Sequence, residues 1–121
     1  YPLWRFKTPE LAQHSCNMIY NKFLHYIDND DFVGADMAKK YLYMGFTRAR
    51  RYWNHSSGRK WKNQNNEWSV LPYDRTEKRF LDSSDIFKKY WKKARENAKY
   101  LRMKEQHKLV VLTYYEKGDD G

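Results

Sequence analysis

Residues 30–62 read DDFVGADMAKKYLYMGFTRARRYWNHSSGRKWK, and small or apolar side chains recur through them at three- and four-residue steps. Gly34, Ala38, Tyr41, Leu42, Gly45, Ala49, Tyr52 and Trp53 fall on one stripe, the period of a helix with one buried face. The stripe predicts a continuous helix over about 32–54, with the acids at 28–31 ending the preceding helix and capping this one. Gly34, Ala38, Gly45 and Ala49 would let a partner helix come close. A competing reading breaks the helix at Gly45, since glycine costs about 1 kcal/mol inside a helix, and restarts it with Thr47 as cap.

The same stretch is strongly basic. Between Asp36 and Glu67 there is no acid, yet the window holds Lys39, Lys40, Arg48, Arg50, Arg51, Arg59, Lys60 and Lys62. Aromatic residues interleave with these cations, among them Tyr43 and Trp61. A sustained positive potential of this kind suits a polyanion. On a continuous helix the cations spread over the whole outer half, and an ordinary solvated basic face would carry the same residues.

Working outward, Thr8-Pro9-Glu10 reads as a helix start: a threonine cap, a proline at the first helical position and an acid at the positive end of the dipole. Leu11, Ala12, Cys16, Ile19, Phe23, Tyr26 and Ile27 then mark a first helix over about 9–28. Residues 1–7 are expected to form an extended arm, anchored by Trp4 and Phe6. After the second helix, residues 55–81 look irregular, with a short hairpin across 59–71 as one option and an Asn-rich turn at its tip. Trp61, Trp68, Val70, Leu71 and Tyr73 are expected to tie this segment to the core. Asp82-Ser83-Ser84-Asp85 looks like the cap of a third helix, with Ile86, Phe87, Tyr90, Trp91 and Ala94 inward and Lys88, Lys89, Lys92 and Lys93 outward. Asn97 would cap a fourth helix over about 98–109, unless helices three and four are one. Residues 110–121 are expected to form a tail, with a short strand or docked extended piece and then a loose end. The fold class is therefore all-α: three or four helices, bundle-like, in one domain over 1–121. Leu11, Ile19, Phe23, Leu42, Trp53, Ile86, Phe87, Tyr90, Trp91 and Leu101 are the expected core.

Composition narrows the function classes. At 121 residues the chain can bury a core without disulfide or metal. Its formal charge of +9 and aromatic content of 18% fit a packed, basic protein. The mean hydropathy of −1.11 and the lack of an apolar run of about 18 residues argue against a membrane span. No signal peptide is expected from the N-terminal residues, and the chain opens on Tyr1 rather than Met. A single cysteine, Cys16, leaves no intrachain disulfide and fits a reducing compartment.

No metal site is expected, because His14, His25, His55 and His107 have no ligand spacing and Cys16 has no second thiolate. There is no Gly-rich nucleotide loop, and no cofactor is expected; Ser57-Gly58-Arg59-Lys60 offers at most an anion-binding turn. His55 beside Asp36, Arg48 and Arg51 would suit a small enzyme acting on a phosphate-containing substrate. Nothing links them into a nucleophile, base and orienting group, so catalysis ranks below binding and no catalytic residue is assigned. The best reading is a non-catalytic protein that binds nucleic-acid backbone. Lys39, Lys40, Arg48, Arg50, Arg51, His55, Arg59, Lys60 and Lys62 would meet phosphate, with Tyr43 and Trp61 stacking on bases. The alternative is a protein–protein adaptor whose basic surface meets an acidic partner.

WRFKTPE at 4–10, DDFVGADMAKKYL at 30–42, MGFTRARRYWNH at 44–55 and SGRKW at 57–61 resemble a family of small proteins classed only as a domain of unknown function. NAKYLRMKEQH at 97–107 lies where that family's closing helix would fall. The resemblance spans most of 1–110, and in the family a smaller residue tends to stand where this chain has Trp53. The family's members occur in bacteria, fungi and bacteriophages, so the resemblance implies a bacterial or bacteriophage origin and a chain preceded by further residues; a cytoplasmic location is expected, that of the host if the protein is phage-encoded. It implies no activity and no catalytic residue.

Overall fold

The structure is a computed structural model that describes residues 5–119, with side chains through Tyr114. Four helices and one hairpin follow in the order α1 (Pro9–Asp28), α2 (Phe32–Asn54), β1 (Trp61–Gln64), β2 (Glu67–Val70), α3 (Lys78–Arg95) and α4 (Ala98–Asp119). The architecture is mostly helical, as expected, with a small antiparallel hairpin added. Helices α1, α2 and α3 pack on one another, and α4 lies against the edge of α2 and α3.

The first two helices begin where capping chemistry puts them. The Thr8 hydroxyl accepts from the Leu11 amide at 3.2 Å, and the Asp31 carboxylate accepts from the Gly34 amide at 2.9 Å. Between them Asp30 takes a left-handed φ of 56°, which turns the chain back on itself. Helix α2 is unbroken through Gly45, which is buried with Ala35, Ala38, Leu42 and Ala49. Small side chains on this face let its neighbours approach closely. At Gly34 the approach is tightest, since a Cβ there would run into the Tyr26 ring.

The core joins Cys16, Ile19 and Phe23 of α1, Leu42 of α2, Phe87 of α3 and Tyr100 of α4. Burial pushes the Cys16 thiol up to about 12, so it remains a protonated core group. Helices α1 and α3 are also joined at the surface, where the Tyr90 hydroxyl donates to Asn17 Oδ1 at 2.8 Å and accepts from Gln13 Nε2 at 2.7 Å.

Several expectations need correction. Leu11 is exposed; the buried stripe of α1 runs through Ala12, Ser15, Cys16 and Ile19, and Leu11 lies on the flank beneath Phe6 and Lys7. Leu101 is also exposed, because Tyr100 and Met103 occupy the buried face of α4. Trp53, Ile86, Tyr90 and Trp91 are half-buried at the margin of the core. Helix α3 starts at Lys78 rather than at 82, and Glu77 in the cap position makes no side-chain cap bond. Its first turn is recruited by packing instead: Phe80 sits 5.3 Å from the Tyr52 ring and 6.4 Å from Phe6. Ser83 and Ser84, expected as caps, are buried inside the helix, and Ser84 Oγ donates to the Phe46 carbonyl of α2 at 3.4 Å.

The tail is helical rather than extended as far as Asp119. Val110 and Val111 favour strands only where a strand can pair, and a helix satisfies its own backbone. Residues 120–121 of the expected loose end, and Trp4 in the arm, lie outside the described residues. From Arg5 onward the arm is docked, its Arg5 amide donating to Ser15 Oγ at 2.8 Å. Helix α4 begins where the Asn97 side chain accepts from the Tyr100 amide at 2.9 Å, which settles it as separate from α3.

Tyr100 locks α4 to α2. Its ring is fully buried against Phe23 and Phe32, and its hydroxyl donates to Asp36 Oδ1 at 2.7 Å. Partial burial alone would raise the Asp36 carboxyl. The hydrogen bonds from Tyr100 and Lys40 and the charges of Lys39 and Lys40 outweigh it and hold the carboxyl below its ordinary value. Its contribution to stability is therefore present above the unfolded carboxylate pKa and is lost as pH falls through the lower folded value. Tyr100→Phe keeps the ring and removes one hydrogen bond to a charged group; a loss of about 1–3 kcal/mol is expected in denaturant titrations near neutral pH, shrinking in acid. Ile19→Ala or Phe87→Ala should each cost about 2–5 kcal/mol, and melts unchanged by both would refute the core as drawn.

Candidate nucleic-acid interface

The nine candidate phosphate ligands do not form one surface. Lys39 and Lys40 belong to the Asp36 cluster, with Nζ–carboxylate distances of 3.6 and 3.2 Å. Lys39 also stands 5.2 Å from the centre of the Tyr100 ring. These two lysines line a concavity of about 520 Å³ beside Lys104, His107 and Lys108 of α4. Arg48 is exposed on α2 and is not among the residues that line the cavity of Arg50 and Arg51. Arg59 and Lys62 lie beside the hairpin.

The remaining four come together. Arg50, Arg51, His55 and Lys60 line one cavity of about 200 Å³, with Thr47, Asn54 and Tyr73. No carboxylate lines it, and among the described residues neither arginine nor Lys60 has an ion-pair partner. The Arg50 guanidinium lies 5.9 Å from the Phe46 ring centre, and Lys88 of α3 approaches the same ring at 5.7 Å. Cationic surface therefore continues from α2 onto α3.

The cavity is shaped by a polar clamp across the irregular segment. Both Asp74 carboxylate oxygens accept from the Ser56 amide, at 3.0 and 2.9 Å, and one accepts from the Ser56 hydroxyl at 2.7 Å. The Asp74 amide donates to the Asn54 carbonyl at 2.9 Å, and Arg75 Nε donates to Asn54 Oδ1 at 3.1 Å. His55 is 3% exposed, and its Nδ1 lies 3.2 Å from the Pro72 carbonyl. A carbonyl only accepts, so Nδ1 is the donor in this bond. These bonds replace the apolar anchors expected here: Trp61, Trp68, Val70 and Tyr73 are exposed, and only Leu71 is half-buried.

The model of the family described as "Domain of unknown function (DUF4385)" matches residues 1–109. The chain belongs to this family. No curated protein and no solved structure matches it significantly. The family carries no activity to transfer, so the chemistry of the cavity rests on its own residues.

The cations at the cavity are side chains, those of Arg50, Arg51 and Lys60. In the turn at 57–60, the candidate for amide donors, two amides are engaged: Gly58 N on the His55 carbonyl at 2.8 Å and Arg59 N on Ser57 Oγ at 3.2 Å. Gly58 holds a φ of 74°, and a Cβ there would also collide with the Tyr52 ring. Tyr43, one of the two expected stacking residues, already packs on Trp91, with ring centres 5.0 Å apart. Sequence reasoning missed Thr47 and Asn54 on α2, which are uncharged and lie off its small-residue stripe, and Asp74 in the irregular segment, where no periodic signal exists.

The Ser56 hydroxyl and amide hold the Asp74 carboxyl below its ordinary value. The clamp's contribution is therefore present above the unfolded aspartate pKa of about 3.9 and disappears as pH falls through the folded value. The Ser56 amide resonance should shift with that acid transition, and Asp74→Asn should abolish the shift. A Ser56 resonance that does not move in acid would contradict the clamp.

Proposed function

We propose that this protein binds nucleic-acid backbone without chemistry, meeting phosphate with Arg50, Arg51 and Lys60. The observation that carries the reading is the convergence of these three exposed cations on one concavity lined by no carboxylate. Guanidinium groups suit phosphate because their donors form a planar fork. The volume of about 200 Å³ supports a backbone ligand over an enclosed one, since sites that engulf small molecules run to about 300–1,000 Å³. A phosphate presented by a longer chain needs only a shallow seat.

A second reading has a specific observation behind it. His55 lines the cavity with both arginines, the arrangement a small phosphate-directed enzyme would use. Against it, neither a thiol nor a carboxylate lines the cavity to complete a catalytic set, and His55 serves as a loop anchor through Pro72. The adaptor reading rests on the same cations meeting carboxylates of a partner protein.

A salt titration separates these readings. Binding to duplex should weaken with a log–log slope of about −0.9 for each phosphate engaged, or about −0.7 on single strands. The Arg50→Ala, Arg51→Ala double variant should weaken all sequences alike and make the duplex slope shallower by roughly two. No binding at about 50 mM salt, or binding indifferent to the double variant, would refute the proposal. Binding of polyglutamate as tight as that of nucleic acid would favour the adaptor.

A further inference from the structure

We propose that the β1–β2 hairpin carries a base-stacking platform formed by Trp61 and Trp68, so that the ligand is a single-stranded nucleic acid. This rests on the backbone-binding reading above and specifies its ligand. The register pairs Trp61 with Val70 and Asn63 with Trp68. Directly paired residues share a face, and so do residues two apart on one strand. Trp61, Asn63, Trp68 and Val70 therefore lie on one face of the hairpin, while Lys62 and Glu67, the hairpin's one acid, start from the other.

This face does not serve the core. Trp61 is 50% and Trp68 69% exposed, and every residue of both strands is exposed. The connection at its base is polar, with the Leu71 amide donating to the Lys60 carbonyl at 2.8 Å and the Asp74 clamp beyond it. Isolated two-stranded hairpins are marginal in water, and two solvated indoles add little to stability without something to cover them.

Charge and spacing commit the occupant. Arg59 and Lys62 line the same concavity as both indoles, about 610 Å³ in volume, so a cationic partner is disfavoured and an anionic one is attracted. Trp61 and Trp68 are diagonal neighbours, which sit about 7–8 Å apart across an antiparallel pair. A base sandwiched between two rings needs roughly twice the ~3.4 Å step of stacked bases, which is the same spacing. Lys60 lines the arginine cavity and also stands 5.7 Å from the Trp61 ring centre, so one strand can cross both places. Paired bases in a duplex present no free faces to the indoles; unpaired ones do.

The test compares a labelled oligo-dT strand with a DNA duplex of equal length, using wild type, Trp61→Ala, Trp68→Ala, Trp68→Phe and the arginine double variant. Each Trp→Ala change should weaken oligo-dT binding about five- to hundredfold and leave duplex binding and the salt slope in place, and Trp68→Phe should retain part of the affinity that Trp68→Ala loses. Because both side chains are exposed, thermal melts of these variants should match the wild type, which excludes misfolding as the cause. If the Trp→Ala variants bind oligo-dT as the wild type does, or if the wild type binds duplex and single strand equally, the platform is overturned while backbone binding stands. If the wild type binds neither, both proposals fall.

Discussion

Because α2 passes unbroken through Gly45, one 23-residue helix has to serve three surroundings at once. Its buried face is made of Ala35, Ala38, Leu42, Gly45 and Ala49, small enough for α1 and α3 to approach. Glycine in mid-helix costs about 1 kcal/mol, and Gly45 is nonetheless helical and buried. A break at Gly45 would have let residues 47–54 turn independently. Continuity instead fixes Arg50 and Arg51 in angle relative to Asp36 and Lys39, one cluster near each end of the helix.

The two clusters differ in what faces them. At the first, Asp36 draws in Lys39 and Lys40 within α2 and accepts from the Tyr100 hydroxyl, the bond that joins α2 to α4. At the second, no carboxylate answers Arg50, Arg51 or Lys60 around the cavity they line. The helix C-terminus there carries about half a negative charge, which opposes an anion but is outweighed by three full cations. A window free of acids in sequence is thus not free of them in space: Asp36 lies just before it and folds back onto its first two lysines, and the unanswered charge gathers at the far end.

What was legible in the sequence was local. Thr8-Pro9-Glu10 and Asp31 cap their helices through bonds to residues three positions on, so α1 and α2 could be bounded without knowing any neighbour. Asn65 and Asn66, with φ of 55° and 64°, make the two-residue turn that asparagine favours in hairpins. The start of α3 was not legible, because Phe80 belongs to the helix by virtue of Tyr52 and Phe6, which are distant in sequence. The tail failed for a related reason: Val110 and Val111 have strand propensity, but strand formation needs a partner edge. The site was legible as a list of cations and not as a place. Only the tertiary structure shows Arg50, Arg51 and Lys60 lining one cavity, Tyr43 packed on Trp91 while still partly exposed, and Trp61 and Trp68 in solvent.

The exposure of the cations also sets the kind of binding this surface can support. An exposed ion pair is worth about 0–1 kcal/mol, because water already solvates both partners. Arg50, Arg51 and Lys60 remain wet, so no single contact at the cavity can supply high affinity. Useful binding then requires several phosphates at once along a connected ligand, which gives steep salt dependence and little sequence preference. Apolar stacking adds affinity by a route that salt does not screen. On the proposed reading that route lies on the hairpin, which is joined to the cation cluster through Lys60 and the Asp74 clamp. The clamp is therefore more than a loop tether: it fixes the distance between the charged seat and the indoles, and hence how many nucleotides a bound strand would place between them.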